Sequence, residues 1–314
     1  MGSIRAAIDR AASMISSRMK QRKEEGHAKK TDRISVLPDR VIYHILLLLP
    51  TVDVFKMISL FKNWRRVWAS FPLVLDFHHK FAYGTERHNQ LKLIKFVEYV
   101  FLILMPRKHI ARLSTFRLNL DYFDDDACIH TWLSFVAESN VEELDLAVSY
   151  YRLPQTILHA RSLRVLKLAM LRLEVKFGSI MLPSLKTLSM NMVMLDDKTI
   201  YKLISSCPAL EDLDINWCCG LSNLQVSNPN LKSLQVQHRC PLPIQIEAMN
   251  LESFAYKGNY DQCKIRFVAC QALRSLSLSE TVFAEQWLRD QISRLPQLKN
   301  LKARSWGIPE KLYY

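Results

Sequence analysis

One short pattern limits what this chain can fold into more than any other. Leu-x-x-Leu-x-Leu, with apolar substitutes tolerated, begins at Leu113, Val141, Leu163, Leu185, Leu210, Leu231, Leu251, Leu273 and Leu298. The successive offsets are 28, 22, 22, 25, 21, 20, 22 and 25 residues. Within each unit the apolar residues alternate, which marks a short strand with one buried face. A recurring offset of this size predicts strands stacked side by side into one long curved sheet, each unit burying its apolar face only against its neighbours.

The gaps between units carry a second signal. The three longest contain helical patterns: Ile129, Leu133 and Val136 after Asp126; Ile200, Leu203 and Ile204 after Asp197; and Trp287, Leu288, Ile292 and Leu295. Shorter gaps alternate instead, at Leu171, Leu173, Val175 and Phe177, at Leu224 and Val226, at Ile244 and Ile246, and at Ile265 and Phe267. A helix needs more residues than a strand to bring the chain back, so gap length and gap pattern agree. The expected fold is an α/β solenoid: a leucine-rich-repeat horseshoe over 113–306, about nine units, with parallel strands on the concave face and a mixed helix/strand convex side.

Residues 33–77 read differently. Pro38 suits the first turn of a helix, and Val41, Ile42, Ile45, Leu46 and Leu49 form its apolar face. Pro50 stops it, and Thr51 can cap the next helix, which bears Val54, Met57, Ile58 and Phe61. A third carries Trp64, Val67, Trp68 and Phe71 and closes at Pro72. Three helices this short bury little surface alone. The run Leu46–Leu49 wraps around its helix, so some leucines face outward. Such a patch either meets a partner or packs on the following domain.

The string Asp32-Arg33-Ile34-Ser35-Val36-Leu37-Pro38-Asp39, followed by Ile45-Leu46, Leu49-Pro50-Thr51, Ser59, Trp64-Arg65, Trp68 and then Pro72, Leu75, Asp76 and Phe77, resembles the F-box of plant F-box/LRR-repeat proteins. The unit Cys207–Cys218 is similar to their cysteine-containing repeats, and Cys270-Gln271-Ala272-Leu273 repeats its start. The likeness covers residues 33 to 306. Val52 and Phe61-Lys62-Asn63 depart from it where the family carries polar residues. A full C-terminal FBD segment, present in many of these proteins, is not expected before Tyr314. The resemblance implies that the F-box holds a Skp-type adaptor, and through it a cullin, by Leu37, Pro38, Val41, Ile45, Leu49, Pro50 and Trp68, with Trp64 in the local core. It implies a substrate-receptor subunit of a ubiquitin ligase. The alternative is a leucine-rich-repeat scaffold that does not engage the ligase.

The residues between the buried leucines should face the concave side: Arg117, Asp145, Lys167, Ser189, Asp214, Gln235, Ala255, Ser277 and Lys302, flanked by Glu143, Asp212, Asn216, Gln237, Lys257 and Arg304. Asp145, Lys167, Asp212, Asp214, Asn216, Gln235 and Lys302 are the expected target contacts. Ordinary surface polarity explains the same pattern, and the loops above the strands are equally open to a partner.

Other classes find less support. With 7 glycines there is no G-x-G-x-x-G or phosphate loop, and no G-x-S-x-G or H-E-x-x-H occurs. An enzyme is not expected, nor a cofactor or metal. Asp124–Asp126 reads as a loop end and helix cap. The 7 cysteines include no C-x-x-C and follow no signal peptide, which suits a reduced setting inside the cell, nucleus or cytoplasm. The repeat-unit cysteines Cys207, Cys218 and Cys270 are expected to fill small buried corners. The net charge of +13 fits nucleic acid, an anionic membrane or an acidic protein, but +5 of it lies in residues 1–33, and the rest lacks interleaved aromatics. Residues 1–32 form a basic leader whose helical pattern from Ile4 to Ile15 also resembles a transit peptide, though its acids weaken that reading; residues 18–30 form a weak nuclear-import pattern. Residues 78–112 are expected to be a helical linker packed on the first repeat, and 307–314 a tail. No apolar stretch is long enough to span a bilayer: Phe96 to Met105 contains Glu98 and ends at Pro106.

Overall fold

The computed structural model describes residues 37–49, 51–71, 73–77, 95, 97–98, 101, 113–120, 126–175, 180–258 and 264–305. The basic leader, Pro50, Asp124, Asp125, most of the 78–112 linker and the tail lie outside them.

Three helices come first: α1 (Asp39–Leu48), α2 (Thr51–Leu60) and α3 (Lys62–Ser70). Pro38 stands one residue ahead of α1 rather than inside it, and its carbonyl accepts from Val41 N at 2.9 Å and Ile42 N at 3.1 Å. Proline is well placed here because its fixed φ suits a helix entry. Ile42, Leu46, Val54, Phe55, Ile58, Trp64, Val67 and Trp68 are buried between the helices. Phe55 meets Trp68 edge-to-face at 5.3 Å, and Tyr43 stacks on Phe71 at 4.3 Å.

The repeats follow as β2 (Leu113–Leu120), α4 (Asp126–Glu138), β3 (Glu143–Val148), a 3-10 turn (Gln155–His159), β4 (Val165–Ala169), β5 (Thr187–Asn191), α5 (Asp197–Ser205), β6 (Asp212–Asn216), β7 (Leu224–Ser227), β8 (Ser233–Gln237), β9 (Ile244–Glu247), β10 (Ser253–Lys257), β11 (Ile265–Ala269), β12 (Ser275–Thr281), α6 (Glu285–Ser293) and β13 (Asn300–Ser305). The main sheet has ten strands, in the order β1-β2-β3-β4-β5-β6-β8-β10-β12-β13, where β1 is Leu73–Phe77. All its pairs are parallel. The sheet therefore begins one strand before the repeat motif does, in the tail of the helical unit.

Register explains the core. Leu75, Phe116, Leu144, Leu166, Leu188, Leu213, Leu234, Phe254, Leu276 and Leu301 are paired in one unbroken row. All but the last are buried; Leu301 is 37% exposed. The leading leucine of each unit is set by a tight turn, its N–H donating to the carbonyl three residues earlier, as from Leu210 to Cys207 and from Leu273 to Cys270. Asn228 takes the equivalent corner in the next unit, its Nδ2 donating to Cys207 O at 3.0 Å.

On the convex side α4, α5 and α6 occupy the three long gaps. Strands β7, β9 and β11 occupy three short ones and form a separate parallel sheet. The other two short gaps hold no strand among the described residues, and alternation was expected only in the second. One holds the 3-10 turn. In the other, Leu171 and Leu173 are buried and the described residues form isolated bridges at Arg172 rather than a strand; Phe177 lies outside the described residues. Asp196 caps α5, accepting from Thr199 N at 2.8 Å. Asp197 instead turns to the next unit and accepts from Ser222 N at 2.9 Å and Asn223 N at 3.2 Å.

Candidate functional site

Two surfaces stand out. The first lies on α1. Of its residues Ile42 and Leu46 point inward. Val41 and Leu48, seven residues apart and so on one stripe, are exposed, Leu48 at 86%. Leu47 and, on α2, Leu60 are exposed as well. Pro38 is exposed, while Leu37, Ile45 and Leu49 are half-buried against the helical core. Trp68 is a correction. It was expected to face outward, but it is 5% exposed, because its four-residue spacing from Trp64 puts both rings on the inner face of α3. Leu48 was missed as an individual residue, although the four-leucine run already required an outward member.

The second surface is the concave face. Asp76, Arg117, Asp145, Lys167, Ser189, Asp214, Gln235, Ala255, Ser277 and Lys302 pair in sequence along a single row. Lys167, Asp212, Gln235 and Lys302 are exposed; Asp145, Asp214 and Asn216 are half-buried. The row is too long to act as one cluster. At ~4.8 Å per strand, Asp145 and Lys302 are about 34 Å apart. Asp212, Asp214 and Asn216 share β6, with Gln235 on the next strand, whereas Lys302 lies four strands away.

Asp214 accepts hydrogen bonds from two neighbouring side chains. Asn216 Nδ2 donates to its Oδ1 at 2.8 Å and Ser189 Oγ to its Oδ2 at 3.2 Å. Burial raises its pKa, and these hydrogen bonds only partly offset the rise. At the start of the row Arg117 reaches Asp76 at 3.2 Å and Glu143 at 3.5 Å.

Sequence reasoning missed the row just before the strands, where Glu142, Arg164, Lys186, Glu211, Lys232, Glu252, Arg274 and Lys299 are joined by successive backbone hydrogen bonds. Glu211 holds both Lys186 and Lys232 at 2.6 Å, and these contacts lower its pKa to about 2. The signal was available: each charge immediately follows a unit's first apolar residue, Val141 or a leucine. Among the described residues no group of three or more His, Cys, Asp or Glu is placed to hold a metal. No helix among them is long and apolar enough to cross a membrane.

The F-box domain family matches residues 34–76. The family described as "At1g61320/AtMIF1, LRR domain" matches residues 104–308, well over half of the chain. The chain belongs to the F-box/LRR-repeat proteins. Among its Arabidopsis thaliana relatives, Putative F-box/FBD/LRR-repeat protein At3g59240 is 32% identical over 72% of this chain and 47% of its own length. F-box/LRR-repeat protein At4g14096 is 33% identical over 70% of this chain and 48% of its own length. Putative F-box/LRR-repeat protein At3g49150 is 32% identical over 73% and 38%. This F-box/LRR-repeat chain thus spans about half the length of these curated relatives or less. No solved structure matches it. Neither matched domain is a catalytic one, and a protein-interaction role follows from both.

Proposed function

We propose that the protein is a substrate receptor of a Skp–cullin–F-box ubiquitin ligase, taking up a Skp-type adaptor on its F-box and a target protein on its repeats. The observation that carries this reading is the exposed apolar stripe of α1, Val41 and Leu48 beside Pro38. The helices bury Ile42, Leu46, Phe55, Trp64 and Trp68 between them, and Leu48 stands outside that core. Covering a side chain of this size stabilises a complex by about 1.5–3 kcal/mol. The concave row is then left for the target. No chemistry is required of this chain: holding a target near the transferring subunit raises its effective concentration. A nuclear or cytoplasmic setting accords with this role.

The test is co-purification of the full chain with a Skp-type adaptor, compared with the Val41→Asp/Leu48→Asp variant. Both positions are exposed, so the fold should survive. Capture by the intact chain and its loss in the variant is the expected result. Absence of capture by the intact chain would overturn the receptor reading in favour of a repeat scaffold outside the ligase.

A further inference from the structure

Four consecutive repeats carry a bulky apolar residue at one equivalent place, just past the end of the concave strand: Tyr150, Met170, Met192 and Trp217. Each has a left-handed backbone, with φ of 61°, 58°, 53° and 53°. That conformation costs an L residue about 1–2 kcal/mol, and glycine would relieve it. The places are locked to their neighbours: Tyr150 N donates to Met170 O at 2.8 Å, Met170 N to Asn191 O at 2.9 Å, Met192 N to Asn216 O at 2.8 Å and Trp217 N to Gln237 O at 2.7 Å. The ledge is partly open: Tyr150 is 66% exposed and Met192 is exposed with it, while Met170 and Trp217 are half-buried. In later repeats the same place holds the buried His238, then Gly258, then Glu280. At Tyr150 and Met192 backbone cost and exposed apolar surface both oppose folding, and an external contact explains these side chains better than the fold does.

The rim above the ledge carries three arginines, Arg152, Arg172 and Arg239, and one acid, Glu174. Arg152, Arg172, Met194 and Cys219 are joined by parallel bridges. Arg172 Nε is buried without a hydrogen-bond partner. The Arg239 guanidinium lies 5.2 Å from the centre of the Trp217 ring, and Arg152 reaches Glu174 at 3.4 Å. Below the ledge the amides Asn191, Asn216 and Gln237 stand side by side, and Asn216 Oδ1 is buried without a partner.

We propose that this ledge binds an extended segment of a protein target in which bulky apolar and acidic residues alternate. The apolar side chains rest on Tyr150, Met192 and Trp217. The acids reach outward to Arg152, Arg172 and Arg239, and the amides hold the backbone. The proposal rests on the receptor reading only in naming the segment's owner as the target. From Tyr150 to Arg239 the ledge crosses five strands, about 19 Å at ~4.8 Å spacing, the reach of about six extended residues. Single-stranded RNA would use the same arginines and aromatic rings. The methionines favour the peptide, because a flexible thioether packs on irregular aliphatic surface and offers a base no stacking platform.

The experiment is fluorescence anisotropy on the full chain with three labelled probes: an octapeptide of alternating Leu and Asp, one of alternating Leu and Lys, and an octamer of uridylate. The acidic peptide should bind at least tenfold more tightly than the other two. Met192→Ser/Trp217→Ser should weaken it at least tenfold, and Arg152→Glu/Arg172→Glu should reverse the preference between the peptides. The exposed Tyr150→Ser provides a reading that does not endanger the fold. Equal binding of the two peptides, tighter binding of the uridylate, or full affinity in the ledge variants would overturn the proposal. Adaptor capture by the same proteins separates the two readings: if capture persists while the peptide preference is absent, the ledge fails and the receptor stands. If the preference is present and capture absent, the reverse holds.

Discussion

The backbone N–H of Asp76 donates to Thr51 Oγ1 at 2.8 Å, which ties the first turn of the second F-box helix to the first strand of the repeat sheet. Thr51 is a buried polar residue, and its hydroxyl meets the strand rather than serving only its own helix. The F-box and the repeats are therefore joined through a hydrogen-bonded strand as well as through packing.

Replacing Thr51 with Val should remove that acceptor while keeping the shape. Leaving a buried donor without a partner costs about 1–3 kcal/mol. Chemical denaturation should show the loss in Thr51→Val and little of it in Thr51→Ser; equal stability of the two variants would refute the tie.

Glu211 carries a pH dependence whose direction is determined. Hydrogen bonds from Lys186 and then Lys232, with their charges, hold its pKa at about 2, against an ordinary 4.5. A carboxylate depressed in the folded state stabilises it above the ordinary pKa and loses that contribution as pH falls through the folded one. Thermal melting of the intact chain should fall more steeply between pH 4.5 and 2 than that of Glu211→Gln. The group is only half-buried and its lysine partners are exposed, so added salt should narrow the difference.

Thiol reactivity should divide by burial. Desolvation raises Cys207 and Cys218 to about 12, and a thiol is nucleophilic only as thiolate. Cys219 and Cys240 are exposed. Maleimide labelling of the native chain at neutral pH, read by peptide mass spectrometry, should mark Cys219 and Cys240 and spare Cys207 and Cys218 until denaturant is added. Native labelling of Cys207 would contradict the burial described.

Gly220 should not tolerate a side chain. Its φ is 92°, and a Cβ there would stand 2.6 Å from Leu195 O, a backbone atom that cannot move aside. Gly220→Ala should destabilise by about 1–3 kcal/mol, measured by urea denaturation, with the neighbouring Cys219→Ala close to neutral.

The repeat architecture was legible early because each strand writes its own pattern: Leu210, Leu213 and Ile215 mark a unit without reference to any other. The concave row was legible for the same reason, since alternation puts Asp214 opposite Ile215. The ledge was not. Met192 and Trp217 stand outside the alternating stretch, and only their backbone angles and neighbours reveal that they share a line. Trp68 was misread because a family resemblance supplies a face, whereas helix spacing and the available partners decide which face is inward. Strand β1 escaped notice because Leu75 and Phe77 show too short an alternation to count as a repeat.

By itself, then, the sequence determined the kind of element at most places, the phase of each strand and the presence of an outward-facing leucine on α1, because periodicity is a local property of the chain. The tertiary structure alone decided which residues of separate repeats stand side by side, such as Arg152 beside Arg172 and Glu211 between Lys186 and Lys232. Those neighbours are more than twenty residues apart or nearly so, and only the register of the stacked strands, enforced by their backbone hydrogen bonds, brings them together.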